Sequence, residues 1–217
     1  MQVDYRFSET PVPYEEALAT MEARVEAIAA VEKPPLLWFL EHPPLYTAGT
    51  SAKEGDLLDS GGFPVYRTGR GGEYTYHGPG QRVGYVMMPL ADRPGCKGKD
   101  IRCYVRDLEQ WIILALKDFG ITGHVRDGRV GVWVETPTGE AKIAALGVRV
   151  RKWVSFHGIA LNVNPDLAHF AGIVPCGIRE FGVTSLHALG IKVSMAEVDE
   201  SLKRAFCTIF GAELTFL

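Results

Sequence analysis

Long apolar runs, paired cysteine motifs and an excess of charge of either sign are all missing from this 217-residue sequence. Its densest apolar runs, Leu36 to Leu40 and Ile112 to Leu116, fall far short of the roughly 18 residues that cross a bilayer, so no membrane helix is predicted. Met1 to Thr10 shows neither a basic stretch leading into an apolar core nor an Arg-rich targeting character, and the chain reads as cytoplasmic. With 23 basic and 26 acidic residues the formal charge is -3, which argues against nucleic-acid partners, since phosphate neutralisation supplies most of their affinity. Cys96, Cys103, Cys176 and Cys207 include no CxxC, and the histidines no HxxxH. A disulfide scaffold, a structural zinc site and a metal or cofactor requirement are therefore not expected. What is present is a globular balance of 47% hydrophobic and 23% charged residues, enough for one domain spanning 1–217.

Apolar residues at Tyr14, Ala17, Leu18, Met21, Val25, Ile28 and Val31 predict a helix that Pro34-Pro35 forbids from continuing. Leu36 to Glu41 reads as a buried strand ended by His42-Pro43-Pro44, and Gly49 to Gly62 as a loop. Val65 to Thr68 and Val83 to Pro89 read as strands on either side of Gly69 to Gln81. A second helix is predicted over Asp100 to Gly120, with Asp100 as N-cap and Gly120 as C-cap. Val130 to Glu135, Lys142 to Lys152 and Val154 to Asn164 read as strands, with a hairpin turn at Thr136 to Gly139. Ser194 caps a third helix to Phe210. The order predicts an α/β (α+β) fold in one domain, a mixed sheet flanked by helices.

Four segments carry candidate chemistry. Gly69 to Gln81 has five glycines in thirteen positions, interleaved with Arg70, Tyr74, Thr75, Tyr76, His77 and Gln81, side chains that suit a pocket for an extended, partly apolar ligand. Such a backbone can approach a ligand closely, although it matches no nucleotide-phosphate motif and a plain hairpin turn would look similar. In Val174-Pro175-Cys176-Gly177-Ile178 the proline stiffens the turn and Gly177 leaves an N–H open as an oxyanion donor. Cys176 is thus the candidate nucleophile, with a buried inert thiol as the alternative; Cys103 and Cys207 read as small core residues and Cys96 as a loop residue. Lys142 opens an apolar strand directly after a turn. An ammonium about 4 Å from a thiol, at an effective dielectric near 20, interacts by up to about 4 kcal/mol, more than the roughly 2 kcal/mol needed to bring a thiol from about 8.5 to about 7. The alternative for Lys142 is an exposed strand end. Gly158 and Ala160, in Phe156 to Asn162, leave room beside a strand for an acyl chain. His157 reads as a base or, more simply, as a structural histidine. Arg149 and Arg151 read as one solvated strand face.

Taken together, RGGEYTYHGPGQRVGY at 70–85, KIAALGVRV from Lys142, FHGIALNVN from Phe156 and PCGI at 175–178 resemble the lipoyl(octanoyl) transferase family over most of the chain. The resemblance implies a fold like the catalytic domains of biotin and lipoate ligases. It also implies transfer of an octanoyl group from octanoyl-acyl carrier protein to a lysine ε-amine. The acceptors would be lipoyl domains of 2-oxoacid dehydrogenase complexes and the glycine cleavage H protein. Cys176 would carry an acyl thioester and Lys142 would lower the pKa of its thiol. Substrate contacts would come from Arg70, Gly71, Gly72, Glu73, Tyr74, Thr75, Tyr76 and His77, from Ala145, Leu146 and Gly147, and from Gly158, Ile159 and Ala160. No cofactor and no metal is implied. The alternatives are an amidotransferase between two lipoyl domains, an ATP-dependent lipoate ligase, and a non-catalytic module that binds carrier or lipoyl domains. Lys97, Lys99, Arg102 and Arg106 form a candidate docking face for an acidic carrier protein.

Overall fold

Leu36–Leu40 (β2) shows why the sheet is buried on both faces: all five of its residues are in the core. Leu37 and Phe39 enter one apolar cluster, whereas Leu36, Trp38 and Leu40 enter another, as strand alternation requires. The computed structural model describes residues 1–91, 93, 95–96, 98–174 and 182–217. Cys176, with Pro175, Gly177 and Ile178, and Lys97 lie outside the described residues.

Among the described residues, three α-helices flank the sheet. Tyr14–Ala29 (α1) buries Tyr14, Ala17, Met21, Val25 and Ile28, the predicted stripe. Its last predicted member is corrected: Val31 lies beyond the Ala30 cap at φ 60 and is 91% exposed. Ile101–Lys117 (α2) begins at Asp100, whose side chain accepts from the Cys103 N–H, and ends at Asp118 rather than Gly120. Met195–Phe210 (α3) starts with a reciprocal capping box between Ser194 and Glu197. Trp111 Nε1 donates to Leu202 O at 2.7 Å and joins α2 to α3 across the core.

The large mixed sheet also contains Gln2–Phe7 (β1), Gln81–Met87 (β6), His124–Arg126 (β7), Arg129–Thr136 (β8), Gly139–Arg151 (β9), Val154–Asn162 (β10), Gly182–Val183 (β11) and Glu213–Phe216 (β12). Strand order is β12-β1-β2-β6-β10-β9-β8-β7, with β11 parallel to β9 beside its start. A three-stranded sheet of Val65–Arg67 (β4), Leu45–Ala48 (β3) and Tyr74–His77 (β5) stands apart from it. The fold is the expected mixed α/β arrangement. The α2 and α3 core takes Val86, Ile159 and Leu161, while α1 packs over Val83, Tyr85, Phe156 and Ala160 on the opposite face. Arg82 of β6 crosses to α3 and pairs with Asp199 at 2.6 and 3.0 Å, both side chains buried.

Several expectations are corrected. β2 ends before His42-Pro43-Pro44 as expected, but an unexpected strand, β3, follows these residues in the separate three-stranded sheet. Within Gly69 to Gln81, Tyr74 and Tyr76 alternate inward and form β5 against β3. The loop Gly49 to Gly62 contains one 3-10 turn at Glu54–Asp56. Arg149 and Arg151 are not merely solvated: they reach Glu22 and Glu26 of α1 at 3.7 and 3.3 Å. Cys103 is no simple core residue and Cys96 no simple loop residue, for a disulfide joins them with Cα atoms 5.9 Å apart. The first turn of α2 folds back beside the loop that precedes it, so seven residues of chain bring the two together. Among the described residues, no helix is long and apolar enough to cross a membrane.

Candidate active site

Arg70 organises the glycine-rich segment. Its guanidinium is buried and donates to Thr47 O at 2.8 Å, Thr47 Oγ1 at 2.7 Å, Gly71 O at 3.0 Å and Glu73 O at 2.9 Å. One planar fork thus clamps the backbone of 70–73 onto β3. The Gly71 N–H donates to Val148 O at 2.9 Å and fastens the same loop to β9. Gly147 is required here, since a Cβ would stand 2.9 Å from Arg70 Cδ and 3.1 Å from Gly71 O.

Between this loop, β5, β9 and β10 lies a cavity of about 220 Å³ on the α1 face of the sheet. Ala145, Leu146 and Gly147 of β9 and Gly158, Ile159 and Ala160 of β10 supply small and apolar wall. Gly72, Glu73, Tyr74, Thr75, His77 and Arg70 supply the facing side. Two predicted residues are not on the wall. Gly71 is held in the loop, and Tyr76 turns into a satellite core with Tyr46 and Phe170.

Lys142 lies on the same wall although it is buried, not the exposed strand end that a surface lysine would make. Its Nζ donates to Val130 O at 2.8 Å and stands 4.8 Å from the Trp133 ring centre, a cation–π distance. Gly131 makes the space: at φ 132, a Cβ there would meet Ala144 O at 2.8 Å and the Lys142 stem at 3.0 Å. Buried Glu109 accepts from the Gly131 N–H at 3.4 Å, and its burial raises its pKa while the Lys142 charge opposes the rise. The strand β11 runs parallel to β9 so that Val183 pairs with Lys142, and Val183 also lines the cavity. The described chain before 175–181 is pinned by Val174 N–H to Asp56 O at 2.8 Å.

A buried hydrogen-bonded floor backs the cavity. His77 Nδ1 donates to Gln81 Oε1 at 2.7 Å, Gln81 Nε2 to Asn162 Oδ1 at 3.0 Å, and Asn162 Nδ2 to Thr184 O at 3.0 Å. His42 Nδ1 donates to Val12 O at 2.6 Å, which leaves Nε2 to accept the Tyr85 hydroxyl at 2.7 Å. Tyr14 OH and His157 Nε2 are 2.9 Å apart. Burial lowers the pKa of His42 to about 4 and of His157 to about 3, the latter helped by the Arg70 and Arg149 charges. His77 falls well below its usual value, again chiefly through burial. Tyr14 is raised to about 12 by burial and stays protonated. His157 is therefore neutral and a weak base. Its φ of 63 is left-handed, and it stacks with its own neighbour Phe156 instead of alternating across the strand. The turn brings its ring to Tyr14 and Tyr85 on the cavity face, with Nδ1 buried and lacking a hydrogen-bond partner.

Sequence reasoning placed Gln81 in the pocket but missed Tyr14, Thr47, Tyr85, Asn162 and Phe170 on the wall. Gln81 and Asn162 sat inside the quoted motifs as polar residues in apolar strands, which is a usable signal for a buried network. Tyr14 and Thr47 gave none. Lys99, Arg102 and Arg106 belong to the α2 side, opposite the cavity, where Lys99 Nζ covers Trp153 at 4.9 Å.

Comparison with known proteins bears on this geometry. Residues 13–207 match the family model described as the lipoyl protein ligase A/B catalytic domain. An octanoyltransferase of Parvibaculum lavamentivorans is 61% identical over 96% of this chain and 92% of its own length. An octanoyltransferase of Paramagnetospirillum magneticum is 59% identical over 97% of this chain and 98% of its own. A bi-partite lipoate protein ligase from Thermoplasma acidophilum superposes with a TM-score of 0.74 at 21% identity, over 100% of this chain and 88% of that one, a likeness of fold. The expected ligase-like fold is thereby found, and the chain belongs to the lipoyl protein ligase A/B catalytic domain family, within which it is an acyltransferase.

Proposed function

We propose that this chain moves an octanoyl group from the thioester of octanoyl-acyl carrier protein to the ε-amine of a lysine on a lipoyl domain, through a thioester on Cys176. The observation that carries the reading is the cavity itself: a small-residue apolar trough with one buried lysine on its wall, in a chain about 60% identical to octanoyltransferases. At about 220 Å³ it is smaller than pockets for drug-sized ligands, which suits a short acyl chain better than an acyl-adenylate. Val183, paired with Lys142, and Val174, pinned to Asp56, are the described residues on either side of the segment that carries Cys176.

In this reading the Lys142 ammonium favours the Cys176 thiolate, which attacks the donor carbonyl; the acyl–sulfur bond to the donor breaks and the carrier thiol leaves with a proton. One thioester replaces another, so no ATP is consumed. The acceptor amine then attacks the Cys176 thioester, loses its proton and leaves an amide, the downhill step. Arg70 shapes the loop over the trough. Ala145 to Gly147 and Gly158 to Ala160 bound the acyl chain. Lipoyl domains of 2-oxoacid dehydrogenase complexes and the glycine cleavage H protein are the proposed acceptors.

Intact mass after mixing with octanoyl-acyl carrier protein, without ATP, tests this. Wild type should gain one octanoyl group that a lipoyl domain clears, and Cys176→Ala should gain none. Transfer only from free octanoate with ATP would refute it in favour of a ligase, and loading only from an octanoylated lipoyl domain in favour of an amidotransferase.

A further inference from the structure

The loop after β6 and the first turn of α2 hold a side-chain cluster that acyl transfer does not use. Cys96 and Cys103 are disulfide-joined there and both are buried. Arg93 donates from Nη2 to Cys96 Sγ at 3.2 Å, and from Nη1 to Asp107 Oδ2 at 2.7 Å. Cys103 occupies the first turn of α2, where the helix dipole presents its positive end.

We infer that Cys96 and Cys103 are a reversible dithiol–disulfide site that exchanges with small-molecule disulfides of the glutathione class, and that the oxidised form clamps the β6–α2 connection onto α2. A guanidinium beside one sulfur and a helix N-terminus beside the other favour thiolate, the species that attacks and leaves in exchange. Gly95 and Gly98, exposed and at φ 76 and 64, flank Cys96 and open the backbone around it to solvent. A metal is the competing occupant, because the Cys96, Cys103 and Asp107 ligand atoms lie within 4.8 Å of one another. The Arg93 charge argues against it: the guanidinium already occupies Asp107 Oδ2 and would repel a divalent cation. On oxidation the two thiols lose two electrons and two protons as the S–S bond forms, and one glutathione disulfide takes them up as two glutathione thiols. The site lies on the α2 side of the sheet, away from the cavity, so its state bears on stability.

The test uses the full chain equilibrated across a series of reduced-to-oxidised glutathione ratios, then alkylated and mapped by mass without reduction. The Cys96–Cys103 cross-link should rise and fall reversibly along the series, while Cys207 stays alkylated. The oxidised protein should melt about 5–10 °C above the reduced one, the scale for closing so short a loop in a chain of this length. Cys96→Ser should melt with the reduced protein and ignore the glutathione ratio. Thiols that remain alkylatable at every ratio, or equal Tm values for the two forms, would overturn the inference. So would stoichiometric zinc in the reduced protein with a Tm lowered by chelator, which would make the cluster a metal site.

Discussion

Acidifying the protein from about pH 7.5 to about pH 5.5 probes the histidines around the cavity, all of which are held neutral by burial. His42 is pushed down to about 4 and His157 to about 3. In the unfolded chain each returns to about 6.5. The unfolded state therefore takes up protons first, and stability is full above about pH 6.5 and falls as the pH drops toward the folded values. At about pH 5.5 the unfolded form of each gains roughly RT ln 11, or about 1.4 kcal/mol, so the pair costs about 3 kcal/mol. His77, shifted in the same direction, adds to the loss. For a chain of this size about 3 kcal/mol lowers Tm by roughly 6–12 °C. Glu109 and Asp199, raised by burial, act in the opposite sense. The internal control is His157→Asn, which removes one histidine's share, so its Tm should fall by about 3–6 °C less over the same interval. Circular-dichroism melts at fixed ionic strength measure both. A wild-type Tm that is flat over this range, or a His157→Asn drop equal to wild type, would refute the claim that these rings are buried and neutral.

Asp199→Asn should cost about 3–5 kcal/mol in urea unfolding, because it strands the buried Arg82 guanidinium, whereas Arg82→Met with Asp199→Leu should recover most of that loss. Gly80→Ala should cost more than about 2 kcal/mol, since φ is 85 and the new Cβ would sit 2.2 Å from the Asn164 carbonyl oxygen. Gly55→Ala, with open space around it, should change stability by less than about 1 kcal/mol. Arg70→Lys keeps the charge but forfeits the fork that holds Thr47, Gly71 and Glu73. Octanoylation under single-turnover conditions should fall by at least about tenfold, the equivalent of one lost charged hydrogen bond, and an unchanged rate would remove Arg70 from the loop-shaping role.

Ser194, Asp100 and the 3,4 spacing in α1 were readable because helix signals are local: cap, stripe and stop sit within one segment. Long strands such as β9 and β10 were readable for the same reason. The two-residue β11, the three-residue β7 and the edge strand β12 were not, because too few residues repeat for a period to show. β3 was hidden by the prolines before it. In the site, the motifs at 70–85, from Lys142 and from Phe156 marked segments that line the cavity, whereas Tyr14 and Thr47 had no local mark of their place on the wall.

From the sequence alone came the class of fold, the three helical faces, the absence of a membrane helix and the family resemblance, all of which depend on patterns within a few tens of residues. The tertiary structure decided the rest. Lys142 became a buried cavity lysine only because Gly131 and Trp133, on the neighbouring strand, made a slot for it. His157 faces Tyr14, 143 positions away, only through a left-handed backbone at one residue. Cys96 and Cys103 met only when α2 folded back on its own approach. Such contacts join residues that share no local periodicity, and the free energy that selects them arises from packing the whole sheet rather than from any one segment.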